Sequence, residues 1–208
     1  MSKTTNKSFK ITLTAVLSAA AFALMFIEFP VPFMPPFIKF DISDLPALFA
    51  SLFVGPFYGV IVELIKNILH ILINGTTSAF IGELSNFLLG SVFVLTSGLI
   101  CRKSTMKHKE IFATIIGALL MGLICVPINY FIVYPAYVKC YNLPLEAIIE
   151  MYKNILYVIM SKPTNNVLLN CLVVFNFPFT LGKGLIDAII CIAVYKPISK
   201  AIKVKNKD

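Results

Sequence analysis

Apolar runs of membrane-spanning length, broken by tight turn signals, leave this chain few folds to choose from. The first run covers 11–29 and is halted by Pro30, Pro32, Pro35 and Pro36, because proline has no amide hydrogen to offer a helix. Others follow over 45–54, 57–73, 80–100, 111–134 and 176–195, with Gly55-Pro56, Asn74-Gly75, a basic loop over 101–110 and Pro135 between them. In lipid only helices and closed barrels satisfy every backbone group, and a spanning helix needs about 20 apolar residues. Charged residues make up 13% of the chain, against about 25% in a soluble domain. These features predict an all-α integral membrane protein: a six-transmembrane-helix bundle over 1–208, forming a single domain with a short second span. The first run lacks a small-residue cleavage motif and reads as a retained span.

Two segments need a closer reading. Over 145–159 the apolar residues Leu145, Ile148, Ile149, Tyr152, Ile155, Leu156 and Ile159 recur every three or four positions. Glu146, Glu150, Lys153 and Asn154 fall on the other face, so an amphipathic helix is predicted between spans five and six, lying on the outer surface or capping the bundle until Pro163. The sixth span has two possible starts. Counting from Val167 makes it long, so the preferred start is Asn176 as N-cap with Pro178 in the first turn.

The net charge of +8 is unevenly placed. Lys3, Lys7 and Lys10 precede span one; Arg102, Lys103, Lys107 and Lys109 sit in one loop; Lys196, Lys200, Lys203, Lys205 and Lys207 end the chain. Clusters flanking apolar spans are the positive-inside signature, so both termini are expected in the cytoplasm and the number of spans is even. That placement argues against nucleic acid as a partner. The cysteines Cys101, Cys125, Cys140, Cys171 and Cys191 show no CxxC spacing and read as small helix residues, not metal ligands or disulfides. No HExxH, GxSxG or Walker motif is present, so the chain is not expected to be an enzyme or to hydrolyse ATP.

The stretch Phe37-Ile-Lys-Phe-Asp-Ile-Ser-Asp-Leu-Pro46 sets three charges and two aromatic rings between apolar runs. Irregular polar backbone at membrane depth must be buried in protein or line a cavity, and charges there are functional suspects. Asp44 reads as an N-cap for the short second span, with Pro46 in its first turn. Lys183 lies inside span six, where it either pairs with Asp187 one turn on or donates to a ligand carbonyl beside Thr180, with Gly182 and Gly184 removing bulk. Asn129 either bridges helices or reads a ligand; Tyr134 and Tyr137 read as interfacial-belt residues. Glu63, Lys66 and His70 share a face of span three, as an internal ion pair or a proton relay. Glu83 and Asn86 share a face of span four, where Glu83 could neutralise Lys66. Ala15, Ala19 and Ala23 form a small-residue stripe that suits either internal packing or a partner subunit.

Five stretches in order along the chain carry a family resemblance: 37–46, Gly55-Pro56, Glu63-Leu-Ile-Lys-Asn-Ile-Leu-His70, Gly82-Glu-Leu-Ser-Asn86 and Pro178-Phe-Thr-Leu-Gly-Lys-Gly184. The chain resembles the riboflavin-specific S components of energy-coupling factor (ECF) vitamin transporters. The resemblance implies a bacterial cell-membrane subunit that captures riboflavin from outside, carries no cofactor, and works with a T subunit and two cytoplasmic ATPases. It implies that Lys183 and Asn129 meet the flavin edge, and that Ala15, Ala19 and Ala23 contact the T subunit. Thr180 departs from the family pattern, in which asparagine is expected. For such a ligand, Phe37, Phe40, Tyr130 and Phe179 can supply walls, and Asp41, Ser43 and Asn86 can meet the ribityl hydroxyls. Phe37–Ser43 would then form a lid. An S component for another vitamin or for flavin mononucleotide, or a proton-coupled carrier built on Glu63, His70 and Asp187, are the alternatives.

Overall fold

A computed structural model describes residues 7–31, 34, 38–76, 78–141, 144–159 and 166–205. Phe37, Pro32, Pro35, Pro36, Pro163, Lys3 and Lys207 lie outside the described residues, as do the side chains of Lys153, Asn154, Ile155, Leu156, Ile159, Lys196, Lys200, Lys203 and Lys205.

Among the described residues, five helices are long and apolar enough to cross a membrane. The helix expected over 11–29 runs Lys7–Met25 (α1), with Thr14 and Ser18 hydroxyls donating to carbonyls one turn back at 2.7 and 2.8 Å. It stops before the prolines because Phe29–Pro30 (β1) pairs antiparallel with Lys39–Phe40 (β2), Phe29 opposite Phe40. Glu28 and Lys39 form an ion pair across this hairpin. The residues after β2 then descend into the bundle to begin α2 (Asp44–Phe53).

α2 has 10 residues, about 15 Å of helix against a hydrocarbon core of roughly 30 Å. Its first residue, Asp44, pairs with Lys66 midway along α3 (Pro56–Asn74). The return passage is therefore irregular backbone above and helix below, the arrangement lipid tolerates only inside protein. At its far end Arg102 donates from Nη2 to the Val54 carbonyl at 2.6 Å, and Gly55 takes a φ of 153° that a side chain would oppose. Pro56 then opens α3, where a missing amide hydrogen does no harm.

The helices α4 (Ile81–Lys103) and α5 (Lys109–Ile128) follow. The expected exit before Pro135 does not occur. One π turn (Asn129–Val133), closed by the Tyr134 amide on the Asn129 carbonyl, carries the helix through Pro135 into α6 (Tyr134–Tyr141). The last helix repeats the device. It starts at Val167, capped by the Asn166 side chain on the Leu169 amide, and not at Asn176 as expected. After α8 (Val167–Cys171), a second π turn (Leu172–Asn176) leads past Pro178 into α9 (Phe177–Lys205). A proline can neither donate to the carbonyl four residues back nor pack against it, and a widened turn just ahead absorbs the conflict. The predicted amphipathic helix is α7 (Leu145–Ile159). Ile148 and Tyr152 are buried against Tyr134, Tyr137 and Leu172 while Glu146 and Glu150 are exposed, so α7 caps the bundle.

Two buried clusters result. One packs α1 to α5 around Leu48, Phe93, Val94 and Met121; the other joins α6 to α8 around Tyr134, Ile148 and Tyr152. Small residues set the helix spacing. A Cβ on Gly59 would lie 2.9 Å from the Ala47 carbonyl of α2, and one on Gly184 would lie 3.0 Å from Ala118 of α5. Gly182 differs from the expectation: a Cβ there meets nothing within 4 Å. Gly59→Val should therefore destabilise the bundle by about 1–3 kcal/mol, lowering its melting temperature in detergent by several degrees, while Gly182→Ala leaves it unchanged. Equal melting of both variants would contradict this packing.

Candidate ligand site

Between the two clusters lies a cavity of about 160 Å³, small beside ligand pockets of about 300–1,000 Å³. A buried charge network forms its base. Lys183 on α9 reaches Asp41 and Asp44, each at 3.1 Å, instead of pairing with Asp187. Lys66 meets Asp44, Glu63 at 2.8 Å and the Ser43 hydroxyl at 2.9 Å, so its counter-ions come from α2 and its own helix and not from Glu83. The Ser43 amide donates to Asp41 Oδ1 at 2.8 Å. Asp44 is not a cap: Ser43 holds that position, and the Asp44 carboxylate joins two lysines.

Every one of these charges is buried, and a buried charge persists only when paired. Glu63 lies against Gly90 of α4, where any side chain would collide with its carboxylate. Asp187 is fully buried, and neither of its oxygens has a hydrogen-bond partner among the described residues.

Polar groups of the helix pair α5 and α9 meet the cavity just above this base. Asn129 and Thr180 line it together, both anchored on Cys125: the Asn129 amide donates to its carbonyl and its sulfur at 2.9 and 3.0 Å, and Thr180 Oγ1 to its sulfur at 3.1 Å. Met25, Ile38, Leu89, Met121, Val133 and Phe179 supply apolar wall. Glu28, Lys39, His70, Glu83 and Asn86 also line the cavity. His70 Nδ1 lies 3.4 Å from Glu83, whose other oxygen accepts from Thr76 and Ser78. The left-handed residues Ala79 and Phe80 sit in this same turn, with the Phe80 amide donating to Thr76 Oγ1.

Of the residues singled out in the sequence, Asp41, Asn86, Asn129, Phe179, Thr180 and Lys183 come together around the cavity. Phe40 stands behind Phe179, ring centroids 6.4 Å apart. Ser43 lies beneath, bonded to Lys66, and Tyr130 turns away to accept from Asn166 at 2.8 Å; neither lines the cavity. Tyr134 and Tyr137, expected at the interface, are instead buried and line it. Sequence reasoning missed Asn176 and Tyr152. Tyr152 of α7 donates to Asn176 Oδ1 at 2.9 Å and lies 2.6 Å from the Tyr134 hydroxyl, so the cap is tied to both π turns. For Asn176 the available signal was an amide two residues ahead of Pro178; Tyr152 showed only as an apolar-face position of α7. Ala15, Ala19 and Ala23 all face outward, while Thr14, Ser18, Ala21 and Met25 of α1 turn inward. The stripe is therefore not internal packing.

Residues 9–199 match the family of ECF transporter substrate-specific components. The chain belongs to that family. This S component is 32% identical over 189 residues to the riboflavin transporter RibU of Staphylococcus aureus (strain TCH60), covering 91% of this chain and 89% of that protein. It is 34% identical over 129 residues to the riboflavin transporter FmnP of Bacillus subtilis (strain 168), covering 62% and 68%. A solved S component of a bacterial ECF transporter superposes with a TM-score of 0.72 at 29% identity, over 95% of this S component and 99% of that chain.

The base network should dominate the stability of this S component. Lys66→Met leaves Asp44 and Glu63 without their shared cation, so a loss of about 3–5 kcal/mol is expected. The variant should melt far lower in detergent or fail to fold, and native-like melting would show that Lys66 is dispensable.

Proposed function

We propose that this S component is the riboflavin-capturing subunit of an ECF importer, and that Asn129, Thr180 and Lys183 read the pyrimidine edge of the flavin. The observation that carries this reading is the state of Lys183. An ammonium has three hydrogens, and Asp41 and Asp44 engage two sides of it, each at 3.1 Å. A third donor remains for a flavin carbonyl without breaking either pair. Phe179, backed by Phe40, suits one face of a flat ring, and Asp41 and Asn86 suit ribityl hydroxyls. Ser43 and Tyr130 support neighbours and do not touch the ligand. The cavity has to widen on binding to take a flavin.

The charge around the cavity favours a neutral ligand. Asp41, Asp44 and Glu28 are matched there with Lys183, Lys66 and Lys39 in ion pairs. A phosphate would find these lysines already paired with carboxylates, so riboflavin is preferred over flavin mononucleotide. The basic end of the bundle faces the cytoplasm, with both termini there. The outward Ala15, Ala19 and Ala23 face receives the T subunit, and two ATPases drive release.

The purified protein should be yellow, with a visible flavin band. Lys183→Ala should weaken riboflavin binding by at least about tenfold, as expected for a lost charge-assisted hydrogen bond. An affinity within about twofold of the parent would remove Lys183 from the site. Ala19→Trp should still bind riboflavin but no longer co-purify with the T subunit; intact assembly would dismiss the stripe as an interface. Uptake that survives without the ATPases and collapses with a protonophore would sink the importer reading.

A further inference from the structure

Cys125 lies on the seam between α5 and α9, has no exposed surface, and does not line the cavity. It nevertheless holds two polar side chains that do. One turn along its own helix, Asn129 directs Nδ2 at the Cys125 carbonyl oxygen (2.9 Å) and sulfur (3.0 Å). A backbone carbonyl can only accept, so the group facing Cys125 is the amide nitrogen, and both its hydrogens are engaged. The group left for the cavity is Oδ1, an acceptor. From α9, Thr180 gives its only hydroxyl hydrogen to the same sulfur at 3.1 Å, so toward the cavity it too offers only lone pairs.

We infer that Cys125 is a positioning residue that sets the hydrogen-bond polarity of the binding edge, with acceptors at Asn129 and Thr180 beside a donor at Lys183. Without the sulfur, the Asn129 amide keeps its bond to the Cys125 carbonyl but has its second Nδ2 hydrogen released, and the Thr180 hydroxyl is free to turn back onto its own helix, as threonine does where no better acceptor is near. Resting on the flavin reading, the inference identifies the matching ligand edge as an imide: an N–H for the acceptors and a neighbouring carbonyl for Lys183. Threonine stands here where the family pattern has an amide. Asparagine would bring a donor of its own, whereas Thr180 bonded to Cys125 brings none.

The test compares riboflavin with 3-methylriboflavin, in which the imide hydrogen is replaced, on the purified full-length protein and its variants. The parent should favour riboflavin. In Cys125→Ala, riboflavin affinity should fall about tenfold and the preference should shrink. Cys125→Ser, which restores an accepting atom, should recover most of both. If Cys125→Ala keeps the parental preference, or Cys125→Ser is no better than Cys125→Ala, the inference is overturned. A second measurement needs no ligand. The S–H infrared band, assigned to Cys125 by its loss in Cys125→Ala, should shift in Thr180→Val; a band that stays put overturns the inference. A parent that binds no flavin removes the proposed function, and the infrared shift still decides whether Cys125 holds these side chains.

Discussion

The Lys66–Asp44–Lys183–Asp41 chain of charges is the interaction on which the rest of the structure depends. It joins the 38–43 segment to α2, α3 and α9 at a depth where none of its members could exist unpaired. Because Asp44 meets both lysines, the irregular segment and the top of α2 hang from a point near the middle of the bundle. The cavity above exists because that segment stops there and does not continue as helix. Stability and the proposed binding chemistry thus share one lysine: Lys183 holds the segment in place and has a donor to spare for a ligand.

The two π turns do complementary work on the opposite wall. Each lies just ahead of a proline that would otherwise end its helix, and each carries an asparagine, Asn129 or Asn176, that lines the cavity. A widened turn displaces side chains from the regular register, so polar groups face inward while the helix goes on to the cap. Through Tyr152 and Tyr134, α7 is bonded to both turns. The cap and the binding wall are one hydrogen-bonded unit.

Much of this was legible beforehand, for definite reasons. Hydropathy and charge placement report on the solvent around each residue, so the helices, the amphipathic α7 and the basic end could be read locally. The Glu63–Lys66 pair was legible too, since one helical turn separates its members. Pairing across the fold was not. Lys183 had a carboxylate one turn away in Asp187 but chose Asp41, 142 positions distant. Glu83 is a possible counter-ion for Lys66 by sequence but sits with His70, Ser78 and Thr76. By sequence Pro135 marks a helix end and Pro178 a helix start, because no local rule says when a widened turn will carry a helix past a proline.

The motifs carried the family resemblance, and the order of residues was enough to establish a helical membrane bundle and a polar loop that had to be buried. Those follow from the free energy of moving apolar and charged groups between water and lipid, which each segment expresses alone. Which carboxylate neutralises which lysine, which way Asn129 and Thr180 present their hydrogen bonds, and how wide the cavity stands came from the packed structure. Those depend on distances between side chains remote in sequence, and burial makes each pairing too strong for a local preference to override.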